Sequence, residues 1–174
     1  MRHRVLGIAL GLTIALGACE QQGEEPAEGA DTLGQAVDTA PAATLYDRLG
    51  GETAIAAVVD TLVALASADT ELNFTRQGTA NEWEATPENV ALFKERMVQF
   101  VGQATGGPQV YEGRDMATAH AGMQITDEEF DRLAGHLDAA LDAYEVPEAE
   151  KEELFAIVET TRSAIVAPAD TAAM

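Results

Sequence analysis

Within "GRDMATAHAGMQITDEEF", residues 113–130, one histidine stands among small apolar side chains just ahead of a strong helix start. The chain has three histidines, and His120 is the one whose surroundings suit ligation. A neutral imidazole gives a lone pair from one nitrogen to a metal while the other nitrogen donates a hydrogen bond. Met116 precedes His120 by one helical turn, so both side chains would share a face. Ala117, Ala119 and Ala121 are too small to obstruct a close approach. Taken alone, a lone histidine of this kind is more often a structural residue than a ligand, and the residues by themselves leave both readings open. His136, in "AGHL", is read as structural.

A second set of residues lies upstream in "TPENVALFKERMVQF". Phe93, Met97, Phe100 and Val101 follow one another at spacings of four, three and one, which places them along one stripe of a helix. Any amphipathic helix shows such a stripe, so a place in an ordinary core is an equal reading. Other chemistries lack their parts: there is no Ser/His/Asp set, no cysteine cluster and no Gly-rich phosphate loop in a strand-to-helix setting.

The elements that must position these residues read as helical nearly throughout. A short helix from Thr44 breaks at Gly50-Gly51, and a second carries Ile55, Val58, Val59, Leu62, Val63 and Leu65 at helical spacing. Thr86 and Pro87 open a third that stops at Gly106-Gly107. Thr126 and Glu129 form a capping box for a fourth, with Phe130, Leu133, Leu137 and Leu141 facing inward. A last helix runs from Pro147 toward Val166, presenting Leu154, Ile157, Val158, Ile165 and Val166. Strand periodicity is missing beyond a few residues, so the class is all-α. The stretch between Leu72 and Thr86 is the one long irregular segment.

The flanks carry a different message. Residues 1–18 have a basic start, an apolar run from Val5 to Leu16 and small residues ahead of Cys19, the pattern of a cleaved secretory signal. The run is shorter than the ~20 apolar residues of a spanning helix. Leu16-Gly17-Ala18-Cys19 also resembles the bacterial lipobox, which implies lipidation at Cys19 and a periplasm-facing envelope anchor, with Glu20 weakly favouring the outer membrane. Cys19 is the only cysteine, so no internal disulfide forms. Residues 19–43 are rich in Glu, Gln, Ala, Gly and Pro and read as a flexible acidic linker, residues 44–166 as the folded domain, and 167–174 as a disordered tail. A net charge of −20 repels phosphate backbones and anionic lipid, so nucleic acid is excluded as a partner class.

The domain resembles the truncated haemoglobins, specifically their first group, over nearly all of Leu45 to Val166. The residues that carry the likeness are "LYDRLGG", "QATGGPQVYEGRDM" with Gly106-Gly107 and Tyr111, "AHAGMQIT" with His120, and "FDRLAGHLDAAL". The resemblance implies a two-over-two helical sandwich around haem b, with His120 as the proximal iron ligand beside Met116. It makes the Phe93, Met97, Phe100 and Val101 stripe the distal wall and sets Phe74 and Trp83 at the haem edge. Arg96, Arg114 and Lys94 become candidate partners for the haem carboxylates, although any one taken singly is more often a solvated surface charge.

One departure bears on mechanism. Members of the group place a tyrosine late in the second helix and often a glutamine on the distal helix, both donating to the bound gas. Matching without gaps puts Val63 and Met97 there, and neither can donate. Each lost hydrogen bond to a charged group is worth roughly 1.5–3 kcal/mol, so oxygen would be held weakly. The segment from Leu72 to Phe93 is longer than is usual for the group, and Asn73, Thr75, Gln77 and Asn81 are its candidate substitute donors. Three functions follow from the resemblance: a haem globin binding oxygen, nitric oxide or carbon monoxide for transport, sensing or detoxification; a haem nitric oxide dioxygenase or peroxidase, against which the missing donors count; and a haem-free envelope lipoprotein acting as a helical binding module.

Overall fold

Cap chemistry starts the helices where the sequence places them. The computed structural model describes residues 42–168. Thr44 accepts from the Asp47 backbone N–H at 3.1 Å while Asp47 Oδ2 accepts from the Thr44 N–H at 3.1 Å, a capping box that opens α1, Leu45–Arg48. Gly50 then turns the chain at φ 89°, and a Cβ there would lie 2.8 Å from that of Ala54, so only glycine fits. Next comes α2, Gly51–Ala68. Thr86 accepts from the Asn89 N–H at 3.2 Å and Pro87 occupies the first turn of α3, Pro87–Ala104. Asp115 caps α4, Met116–His120, and Thr126 with Glu129 caps α5, Asp127–Ala143. The chain closes with α6, Glu148–Glu159, and α7, Arg162–Ile165.

The core is built on α2, which buries Ile55, Val58, Val59, Leu62, Val63 and Ala66. Ala140 and Leu141 of α5, Leu154 of α6 and Leu45 and Leu49 around α1 complete the cluster. Full burial of a leucine such as Leu141 stabilises by roughly 1.5–3 kcal/mol. Packing pairs α2 with α3 and α5 with α6, and α2 lies on α5 to join the pairs. This is a two-over-two arrangement of helices, with no strand among the described residues.

The structure corrects the last helix. A continuous helix from Pro147 to Val166 is expected, but the chain breaks at Thr160 and Thr161. Their hydroxyls donate back to the Ile157 and Val158 carbonyls at 2.6 and 2.7 Å, and their backbone N–H groups bond to the same carbonyls at 3.1 and 3.0 Å. Two adjacent threonines thereby tighten the turn and end α6. The α5 face is also graded rather than uniform: Phe130 and Leu141 are buried, whereas Leu133 and Leu137 are half-buried.

Between α2 and α3 the irregular segment is ordered by its own polar contacts. Asn73 Oδ1 accepts from the Gln77 N–H at 2.8 Å and its Nδ2 donates to the Gln77 carbonyl at 3.0 Å. Arg76 adopts φ 56°, a left-handed conformation uncommon away from glycine. Its buried guanidinium meets Glu129 of the α5 capping box, Nη1 to Oε2 at 3.2 Å and Nη2 to Oε1 at 2.5 Å.

Candidate functional site

His120 is the last residue of α4 and is half-buried. Asp115 starts this helix by accepting from the Thr118 N–H at 2.9 Å, and hydrogen bonds from Thr118 hold its carboxyl below the usual range. The His120 Nδ1 lies 2.8 Å from the Met116 carbonyl oxygen. A carbonyl only accepts, so Nδ1 carries a proton, and in the neutral imidazole Nε2 carries the lone pair. Nε2 has no hydrogen-bond partner among the described residues. The imidazole is thus oriented by its own helix and presents a basic nitrogen, the arrangement seen in metal-ligating histidines.

The segment leading into α4 is also fixed. Tyr111 Oη donates to the Arg114 carbonyl at 2.9 Å, and its ring meets Phe100 of α3 edge-on, centroids 5.7 Å apart. On its other side α4 packs against α7.

Helix α3 carries an apolar stripe, and the stripe is unevenly covered. Met97, Phe100 and Val101 are half-buried, Phe93 is 36 % exposed, and Gly102 is the only fully buried residue of the helix. Helix α2, with a comparable number of residues, buries six. Phe93 joins Phe74 and Trp83 in an aromatic trio with centroids 5.3 to 5.9 Å apart. Trp83 is locked there by its Nε1–H, which donates to the Phe74 carbonyl at 3.0 Å. These three join the start of α3 to the irregular segment, as an apolar rim would.

The structure separates other candidates from this set. Val63 is buried in the main core. Arg96 pairs with Glu112 at 3.2 Å and Lys94 with Asp60 at 2.9 Å, so both cations already have carboxylate partners, whereas Arg114 is exposed. Met116 is half-buried on the His120 helix. Of the substitute donors, Asn73 is used within its own turn, Asn81 donates to Ala121, Gln77 is exposed and Thr75 is half-buried. His136 bonds Asp69 Oδ2 at 2.8 Å, a structural role as expected. Cys19 lies outside the described residues. Sequence reasoning missed the Met116 carbonyl, a main-chain group with no side-chain signature. It also missed the cap signal Asp115-Met116-Ala117-Thr118, which was there to read.

Among the described residues no three His, Cys, Asp or Glu side chains come together as a metal site. A single imidazole suits a metal whose other ligands arrive with it, as in a macrocycle whose ring also needs flat apolar contact. His120 offers one such nitrogen, and the α3 stripe and the aromatic trio are apolar surfaces of the kind such a ring contacts. Two surface clefts of about 520 and 550 Å³ are lined mainly by polar and charged side chains, and neither includes His120.

Such a helical arrangement is that of a two-over-two globin. Residues 44–167 match the family model of bacterial-like globins, and the chain belongs to that family. It is 34 % identical over 116 residues to a group 1 truncated hemoglobin of Mycolicibacterium paratuberculosis, covering 67 % of this chain and 79 % of that protein. Among solved structures, the truncated hemoglobin of Tetrahymena pyriformis in its Fe(III) form aligns with a TM-score of 0.62 at 27 % identity, covering 72 % of this chain and all of that one. The 2/2 hemoglobin of Synechococcus sp. PCC 7002 with covalently attached heme aligns with a TM-score of 0.61 at 27 % identity, over 71 % of this chain and 98 % of that one.

Proposed function

We propose that this chain is a haem globin in which His120 would hold the iron and which binds a diatomic gas. The observation that carries the reading is the 2.8 Å contact between His120 Nδ1 and the Met116 carbonyl, which leaves Nε2 basic and free to ligate. When bound, haem supplies an iron centre with one position for oxygen, nitric oxide or carbon monoxide. Phe93, Met97, Phe100 and Val101 would give the ring apolar contact and exclude water, with Phe74 and Trp83 extending that contact. Arg114, exposed ahead of α4, is available to a haem carboxylate; Arg96 would have to exchange Glu112 for one.

The distal side is apolar in this reading. Met97 offers no donor and Val63 is turned into the main core, while Asn73 is committed to Gln77, Asn81 to Ala121, Gln77 is exposed and Thr75 is half-buried. The site therefore favours ligands that need no hydrogen bond, nitric oxide or carbon monoxide, over retention of oxygen. We further propose that Cys19 carries a lipid that tethers the domain to the envelope through residues 19–43. Loss of lipid labelling in Cys19→Ser checks that part.

Absorption spectra of the full chain after haem addition, beside His120→Ala, in ferric, ferrous and carbon monoxide forms, test the central claim. A stoichiometric Soret band that is lost or strongly shifted in the variant supports it. Absence of stoichiometric haem binding in the parent sinks it and leaves a haem-free helical module.

A further inference from the structure

Asn81 joins the irregular segment between α2 and α3 to the turn that follows His120. Its Nδ2 donates to the carbonyl oxygen of Ala121, the C-cap residue of α4. The adjoining Gly122 sits at φ 75°, and a Cβ on it would lie 3.4 Å from Ala80 Cβ and 3.5 Å from Asn81 Nδ2. Segment and turn therefore run close enough that a side chain at 122 would touch the segment, and they are hydrogen-bonded. The donor is itself anchored. The Asn81 N–H donates to Thr79 Oγ1 at 3.3 Å, Thr79 Oγ1 donates to the Arg76 carbonyl at 2.7 Å, and Arg76 is ion-paired with Glu129 in the first turn of α5.

This chain of contacts matters because α4 cannot hold its own shape. It has five residues, none buried, and a helix of little more than one turn is unstable in isolation. The direction in which His120 points is set by the packing of α4 on α7 and by what grips the two ends. Asp115 and the Tyr111 contact to Arg114 secure the start. At the far end the Met123 N–H donates to the His120 carbonyl at 3.1 Å, and the next carbonyl, that of Ala121, takes the Asn81 amide. A helix end leaves such carbonyls without intrahelical partners, so a donor from elsewhere fixes its geometry.

Resting on the haem reading, we infer that Asn81 is a positioning residue for the iron ligand. By holding the Ala121 carbonyl it sets the tilt at which His120 presents Nε2, and it makes the irregular segment a brace between α5 and the ligand helix. Asn81 makes no hydrogen bond to the imidazole and acts through the main chain, at the Ala121 carbonyl.

The test uses the full chain loaded with haem, ferrous and free of gas, and reads the iron–histidine stretching mode by resonance Raman. Parent, Asn81→Asp and Asn81→Ala are compared, with His120→Gly plus free imidazole as the control that assigns the mode. Asn81→Asp keeps the shape and sets a carboxylate where the donor was, so it probes the hydrogen bond with the least disturbance of the fold. Both Asn81 variants should shift the mode and release haem to an excess of an acceptor globin roughly three- to tenfold faster, the factor that one ordinary hydrogen bond sets. In the haem-free chain, amide exchange at residues 121–123 should quicken. A mode that depends on His120 but stays unmoved in both Asn81 variants overturns the inference and leaves the haem reading intact. A parent with no His120-dependent mode sinks the haem reading, and the inference falls with it.

Discussion

Arg76 and Glu129 are 53 residues apart in sequence, yet their side chains meet in a two-pronged ion pair at 2.5 and 3.2 Å, with 9 and 15 % of their side-chain surfaces exposed. Burial pushes the Glu129 carboxyl up, but the Arg76 guanidinium and the Thr126 and Asn73 N–H groups outweigh it and hold the group low. Removing one member of a buried pair strands the other, at a cost of about 3 kcal/mol. Arg76→Ala and Glu129→Ala should each lower stability by about that order in denaturant titrations, Glu129→Ala somewhat more because it also loses the capping box. The double variant should be less destabilised than the sum of the two. Strict additivity would mean that the pair is not coupled.

Asp69 caps the end of α2 and meets three partners: the Glu71 N–H, His136 at 2.8 Å and Arg132 at 3.2 Å. These lower its pKa to about 2, the Glu71 N–H contributing most and His136 next. Since the folded pKa lies below the unfolded value of about 3.9, the contribution of Asp69 is present above about pH 4 and is lost as pH falls toward 2. The melting temperatures of the parent and Asp69→Asn should differ at neutral pH and converge through that window. A gap that persists at pH 2 would contradict the assignment.

If Met97 is the missing distal donor position, Met97→Gln should restore one. The two side chains are close in size, and Met97 is half-buried on α3, so the change fits where Val63→Tyr would overpack a full core. Oxygen dissociation from the ferrous haem protein should slow by roughly tenfold or more. A parent that already releases oxygen slowly would show that a donor exists and that the apolar distal side is wrong.

Lys151 is buried among Asp138, Asp142 and Glu148, at 2.7, 2.8 and 3.3 Å, and these carboxylates raise its pKa, Asp138 first. Lys151→Met keeps the stem and deletes the charge, leaving three carboxylates facing one another where α5 runs into α6. Thermal stability should fall at neutral pH and recover in part at high salt, which screens like charges. A salt-independent loss would point to packing alone.

Secondary structure was largely legible in the chain because it is written in nearest-neighbour chemistry. Thr86 and Thr126 cap what they were expected to cap, Thr44, read as the start of the first helix, proves to be its N-cap, and the period of Val58, Val59, Leu62 and Val63 announced the core helix. The break at Thr160-Thr161 was harder to read, since threonine is tolerated within helices and only the back-bonded geometry ends this one.

For the candidate site, the sequence by itself determined which residue types were available: one imidazole in an apolar setting, an apolar stripe and few cations. Tertiary structure decided what each was free to do. The contact of His120 with a main-chain carbonyl, the commitment of Arg96 and Lys94 to Glu112 and Asp60, and the reach of Asn81 to Ala121 link groups up to 40 residues apart or involve the backbone. Hydrogen-bonding capacity belongs to a residue, but its use is settled by whichever partner the fold brings within about 3 Å. That choice is made by packing, which no local pattern records.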